Sequence, residues 1–223
     1  MQENWSQLLA PAASSLGVPL TAEQLRLFSL YYREIITWNE KINLLSRSSA
    51  GDTLLKNFID SLAVAPFLPG PGCRLLDMGS GGGFPGIPLK IVREGLRVSL
   101  LEASRKKTSF LKQVVRKLQL KDITVLHDRA EKLLENTACR GSFDAVVSQA
   151  AFKLPQLLAL GAPFLAGGGV LIAMKSVNIG AEMAAAEPAA AAAGLSLSAS
   201  HDLILPITGD PRLILIYKKT VSV

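Results

Sequence analysis

An apolar run that ends on an acidic residue and breaks at once into glycines constrains this chain most: Leu75-Leu76-Asp77-Met78-Gly79-Ser80-Gly81-Gly82-Gly83-Phe84-Pro85-Gly86. Glycines at 79, 81 and 83 permit positive φ and let backbone touch a ligand with no Cβ in the way. A loop of this kind between a first strand and its helix puts the ligand at the carboxyl end of a parallel sheet. The glycines alone are a weak signal, because a tight turn also explains them. Their spacing, Gly-x-Gly-x-Gly, differs from the Gly-x-Gly-x-x-Gly that seats a pyrophosphate on a helix N-terminus. Pro85 and Pro88 suit a helix's first turn but withdraw amide donors that a phosphate uses. Asp77, just before the loop, repels a pyrophosphate and suits a positively charged ligand, acting through water or by holding the loop.

The rest of the chain supports a doubly wound, mostly parallel α/β sheet of the Rossmann-like type, with an antiparallel edge strand and an N-terminal helical extension. Residues 1–68 read as that extension. Thr21 and Gln24 form a capping box, and Leu25, Phe28, Tyr32, Ile35 and Ile36 follow at helical spacing. A second helix is expected over about 53–67, ended by Pro69-Gly70-Pro71-Gly72. Residues 69–223 then alternate. Strands are expected over 73–77, 98–102, 123–126, 143–147 and 169–174, with helices over about 84–93, 106–118 and 155–164. An Ala-rich helix precedes an antiparallel pair over 197–205 and 212–217.

Glu102 ends the second strand, where a carboxylate accepts both hydroxyls of a ribose. Pairing with Arg105 or Lys106 is the plainer alternative. Loop and carboxylate together at this separation point to an adenosyl ligand, and to methyl transfer from S-adenosylmethionine before hydride transfer from a nicotinamide. The third-strand exit, His127-Asp128-Arg129-Ala130-Glu131, is where the adenine is expected. The fourth, Ser148-Gln149-Ala150-Ala151-Phe152, faces the methyl. It lacks the Asn/Asp-Pro-Pro-aromatic signature of exocyclic-amine methylation, and no cysteine stands there for a covalent pyrimidine adduct.

Composition narrows the setting. A formal charge of +6 is compatible with a polyanionic partner. Two cysteines, Cys73 and Cys139, make no disulfide framework, and no secretory leader or membrane-length apolar run is visible, so a cytoplasmic protein is expected, with no membrane and no metal partner.

At this point the chain resembles the bacterial glucose-inhibited division protein B family over nearly its whole length. The resemblance rests on Trp38-Asn39-x-x-Ile42-Asn43-Leu44, Ile59-Asp60-Ser61, the extended loop from Asp77 to Pro88, Arg129-Ala130-Glu131 and Phe143-Asp144-Ala145-Val146-Val147-Ser148. It implies methylation of N7 of a guanine in small-subunit (16S) ribosomal RNA, with that RNA or a 30S-type ribosomal particle as partner. It further implies cofactor contacts at Gly79, Phe84, the Ala130-Glu131 pair and position 149. Two positions depart from the family's usual pattern: Gln149 stands for arginine and Asn57 for histidine. Both bear on substrate binding rather than on the fold.

Asp77, Gly79, Gly81, Gly83, Phe84, Glu102, Ala130, Glu131 and Gln149 are therefore the candidate cofactor residues. Guanine N7 carries an in-plane lone pair and loses no proton on methylation, so in-line transfer needs positioning and no obligatory general base. Asp60, Glu131 or Phe152 can favour the positive charge the base acquires. Candidate RNA contacts are Arg47, Lys56, Asp60, Arg105, Lys106, Lys107, Lys153 and Lys175, each alternatively plain solvated surface. Lys112, Arg116, Lys117 and Lys121 read as a solvated helix face. A methyltransferase of small molecules or proteins, a nicotinamide oxidoreductase and a non-catalytic RNA-binding relative are the competing readings.

Overall fold

The computed structural model of the chain describes residues 5–44 and 50–221. Arg47, a candidate RNA contact, lies outside them. Three helices come first: α1 (Trp5–Ser15), α2 (Ala22–Asn39) and α3 (Ala50–Leu62). The capping box is formed: Thr21 Oγ1 accepts from the Gln24 amide, and the Gln24 side chain accepts from the Thr21 amide. The helix expected over 53–67 is α3, which stops at Leu62, and a single 3₁₀ turn over Ala65–Phe67 carries the chain to the Pro-Gly linker. The Arg93 guanidinium donates to the carbonyls of Ala65, Leu68 and Pro69, which pins that linker to the core.

Strand and helix then alternate through β1 (Arg74–Met78), α4 (Gly86–Val92), β2 (Arg97–Glu102), α5 (Arg105–Lys117), β3 (Ile123–His127), α6 (Ala130–Leu133), β4 (Phe143–Gln149), α7 (Leu154–Gly161), β5 (Leu165–Ser176), α8 (Gly180–Ala192), β6 (Leu195–Ile204) and β7 (Pro211–Lys219). Among the described residues seven strands form one sheet in the order β3-β2-β1-β4-β5-β7-β6. Strands β1 to β5 pair in parallel. The antiparallel pair expected at the sheet edge is present, with β7 laid between β5 and β6. The chain leaves β1 for β2 and β3, then returns past β1 to β4. That reversal opens a crevice at the carboxyl ends of β1 and β4.

The period-2 alternation of strand side chains sorts the core into two layers. Leu75, Leu100, Ala145, Val147 and Ile172 face a cluster shared with α1 to α5, whereas Leu76, Met78, Leu101, Val146 and Leu171 face α6, α7 and α8. The N-terminal helices thus belong to one apolar cluster with the sheet. Phe58 is the hub of the aromatic part: it meets Trp5, Phe28, Tyr31 and Phe84, with ring centroids between 5.0 and 5.9 Å apart. On the helix face read as solvated, Lys117 is exposed and also pairs at 2.6 Å with the buried carboxylate of Glu34, which accepts from Gln113 as well. The physical reason is that α2 packs across α5, and a buried carboxylate needs donors.

Phe58 has no exposed surface, so Phe58→Ala should remove the aromatic hub and leave a cavity. Chemical denaturation should show a loss of about 3–5 kcal/mol.

Candidate active site

The loop between β1 and α4 holds Gly79, Gly81 and Gly83 at φ of +75°, +56° and +97°. These angles alone favour glycine, but the surroundings differ at each position. A Cβ on Gly79 would stand 2.6 Å from the Ala151 Cβ. On Gly83 it would strike the Tyr31 hydroxyl and Ile87. On Gly81 it would meet only the Gly79 carbonyl oxygen, at 3.8 Å. Gly79 and Gly83 are therefore bare because protein packs against them, and Gly81 is bare toward open space.

That space is a cavity of about 380 Å³ walled by Gly79, Gly81, Glu102, Ala130, Glu131 and Phe152. The Glu102 carboxylate sits on its rim, accepting from the Gly81 amide at 2.9 Å and the Ser104 amide at 2.7 Å. It thereby ties the end of β2 to the glycine loop. The alternative pairing of Glu102 with Arg105 or Lys106 is not among the ion pairs of the described residues.

Asp77 requires a correction. It was expected at the ligand by virtue of its charge, yet it is wholly buried beneath the loop and lines neither cavity. Oδ2 accepts from the Gly86 amide at 3.0 Å and so holds the start of α4, while Oδ1 has no partner. Burial pushes this carboxyl up to about 8, the Gly86 and Ser80 hydrogen bonds opposing it and the Glu102 charge adding to it. A largely protonated Asp77 at neutral pH carries little charge toward any ligand. Of the two roles open to it, it holds the loop.

A second cavity, of about 350 Å³, lies on the other side of the same loop, and Gly79 and Gly81 line both. Phe84 and Gln149, expected at the cofactor, line this second cavity, together with Asn57, Asp60, Lys175 and Arg212. Gln149 Nε2 donates to Asp60 Oδ2 at 2.6 Å, and Arg212 Nε reaches the same oxygen at 3.2 Å. Burial raises the Asp60 pKa, against the pull of Arg212, Gln149 and Lys56. Lys56 itself pairs with Asp210 at 2.8 Å. Lys175, expected as an RNA contact, is buried and donates to Glu182 and to the Phe152 carbonyl, each within 2.7 Å. Its charge is therefore spent inside the protein. The exposed candidates are Arg105 and Lys106 at the start of α5 and Lys153 at the start of α7, with Lys107 half-buried on the wall of the first cavity.

Two residues escaped the sequence reading. Tyr31 is fully buried and donates to the Gly82 carbonyl, a contact from α2 into the loop. Its signal was a place in the apolar stripe of α2, between Phe28 and Tyr32. Arg212 opens β7, and nothing in its immediate neighbours announces a partner in α3. Among the described residues no group of three or more His, Cys, Asp and Glu side chains is placed to hold a metal ion, and no helix is long and apolar enough to cross a membrane.

A parallel sheet opened at this reversal, with bare backbone on one side and an acidic strand end beside it, defines a Rossmann-like methyltransferase fold. M. jannaschii TYW2 in complex with AdoMet shares it at a TM-score of 0.61 and 17% identity, over 80% of this chain and 78% of that one. The cyclase SpnF matches at 0.61 with 14% identity, over 79% and 84% of the two chains. Likeness at this level shows the fold and not the reaction. Sequence goes further. Residues 24–204 match the family described as rRNA small subunit methyltransferase G. The ribosomal RNA small subunit methyltransferase G of Syntrophus aciditrophicus is 46% identical over 219 residues, 98% of this chain and 91% of that protein. Its counterpart in Geobacter sp. is 41% identical over 216 residues, 97% and 98% of the two chains. The chain belongs to the rRNA small subunit methyltransferase G family.

Asp77 yields a pH prediction. The folded protein keeps a proton there up to about pH 8, whereas the unfolded chain releases it near its ordinary value of 3.8. The stability tied to that proton is complete in acid and is lost as pH rises from about 4 through about 8. Asp77→Asn, permanently neutral, escapes the loss. Its Tm relative to wild type should rise by several degrees between about pH 5 and about pH 8, at about 2–4 °C per kcal/mol. A constant difference in thermal scans would contradict the assignment.

Proposed function

We propose that this protein transfers a methyl group from S-adenosylmethionine to N7 of a guanine in small-subunit (16S) ribosomal RNA, directly and without an obligatory general base. The observation that carries the reading is the chain's membership of its family together with the bare Gly81 backbone facing the Glu102 cavity. The residues fit the cofactor: the one glycine of the loop with room for a side chain is the one where a ligand needs that room. When bound, S-adenosylmethionine supplies a methyl carbon on a sulfonium. Gly79 and Gly81 would pass backbone against it, Glu102 would accept from its ribose, and Ala130 and Glu131 would wall its adenine.

The second cavity is proposed for the guanine, since Gly79 and Gly81 line both it and the first. The chain's task there is to hold N7 in line and exclude water, since the lone pair attacks without losing a proton. The extension over residues 1–68 brings Asn57 and Asp60 to this wall. Arg105, Lys106, Lys107 and Lys153 are proposed to meet RNA phosphates around the mouth, in naked RNA or in a 30S-type particle, within the cytoplasm. An unpaired base in an RNA loop reaches such a pocket more cheaply than one stacked in a helix.

Incubation with labelled cofactor should place label in small-subunit RNA as 7-methylguanosine; label confined to a metabolite extract would sink the reading. Gly81→Asp should still fold, with a modestly lowered Tm, because Asp is among the residues that enter αL backbone and a Cβ there meets only the Gly79 carbonyl oxygen at 3.8 Å. It should lose cofactor binding in calorimetry, and unchanged affinity would remove the loop from the site. Lys106→Glu should weaken RNA binding most at low salt and flatten the slope of log K against log salt by about 1 or more. An unchanged slope would take Lys106 off the RNA face.

A further inference from the structure

The wall of the second cavity farthest from the cofactor side carries a charge arrangement that phosphate binding does not explain. The cations that line it are already matched: Arg212 by Asp60 and Lys175 by Glu182. A pocket balanced in this way attracts no polyanion. It can, however, read the edge of a base, since phosphate contacts position a nucleic acid and base-edge contacts specify it.

Asp60 is the centre of that edge. It is 5% exposed, and its Oδ2 is occupied by Gln149 Nε2 at 2.6 Å and Arg212 Nε at 3.2 Å. Its Oδ1 accepts no hydrogen bond from the described residues, and the residue lines the cavity. A carboxylate oxygen on a cavity wall that no protein donor engages can accept a ligand's N–H groups. Arg212 spends Nη1 on the Pro211 carbonyl and Nε on Asp60, which leaves Nη2 as a further donor beside that carboxylate. Side by side, the pair offers a donor followed by an acceptor, the pattern that complements guanine's O6 followed by N1–H and the 2-amino group. Adenine presents the reverse, a 6-amino donor followed by a bare N1.

We propose that Asp60 and Arg212 select the target guanine by its Watson–Crick edge, Arg212 donating to O6 and Asp60 accepting from N1–H and the 2-amino group. Gln149 is the positioning residue of this device, fixing the Asp60 carboxylate from β4. The position where the family usually has arginine holds a neutral amide, and the guanidinium at this wall comes from β7 instead. Holding the base by its far edge leaves N7 free, as the proposed reaction requires. The inference rests on the methyl-transfer reading.

The test replaces the methylated guanosine, located by mass mapping, with inosine in a fragment of small-subunit RNA. Inosine keeps N7, O6 and N1–H and lacks only the 2-amino group. The wild-type protein should transfer methyl to the inosine RNA with kcat/KM lowered roughly ten- to hundredfold, the worth of one hydrogen bond to a charged acceptor. Asp60→Asn should be slower on guanosine and should bring the guanosine-to-inosine ratio close to one, with cofactor affinity in calorimetry unchanged. A purely structural Asp60 would lower both substrates alike and leave the ratio intact, which would overturn the inference. Equal use of both RNAs by the wild type would overturn it without any variant. Failure of the wild type to make 7-methylguanosine at all would overturn the methyl-transfer reading and this inference together.

Discussion

The structure depends on a stretch of backbone trapped between two packed surfaces. From one side Tyr31 reaches out of α2 to the Gly82 carbonyl and fills the space where a Gly83 side chain would go. From the other, Ala151 and Phe152 close on Gly79. Beneath, Asp77 binds the Gly86 amide, and above, Glu102 binds the Gly81 amide. Four elements distant in sequence thus fix one loop. A glycine-rich segment is costly to order, since it surrenders more conformational freedom than any other. These contacts offset that cost and leave Gly81 alone open toward ligand.

This bracing gives the loop two faces. On one lies the cavity closed by Glu102, on the other the cavity closed by Asp60 and Arg212, and Gly79 and Gly81 line both. Glycine on a wall shared by two cavities lets their occupants come closer than side chains there would permit. For a transfer that needs alignment and no proton shuttle, such closeness is the main contribution the protein can make.

Much of this was legible in the residues because it is local. The capping box, the order of strands and helices, the glycine loop and the acid at the end of β2 are all read from spacing along a single element. What was not legible came from distance along the chain or from burial. Arg212 and Asp60 meet only because β7 is inserted beside β5, close to the end of α3. Lys175 looks like a surface charge until Glu182 is seen to wait for it. Asp77 reads as a negative charge, and complete burial makes it chiefly a neutral hydrogen-bonding group. Charge signs in a sequence state what a side chain is in water, and the fold decides what it becomes.

The insertion of β7 between β5 and β6 also governs when the molecule becomes competent. A growing polypeptide that has produced everything through β6 has no neighbour for that strand, because β5 accepts only β7 along its free edge. The segment carrying Arg212 must slot in before the outer strand can dock, so the wall opposite the glycines is completed only after β6 has been made. Order of synthesis therefore acts as a lock: a product that stops before β7 keeps the glycine loop but is missing the Arg212 side of the facing wall.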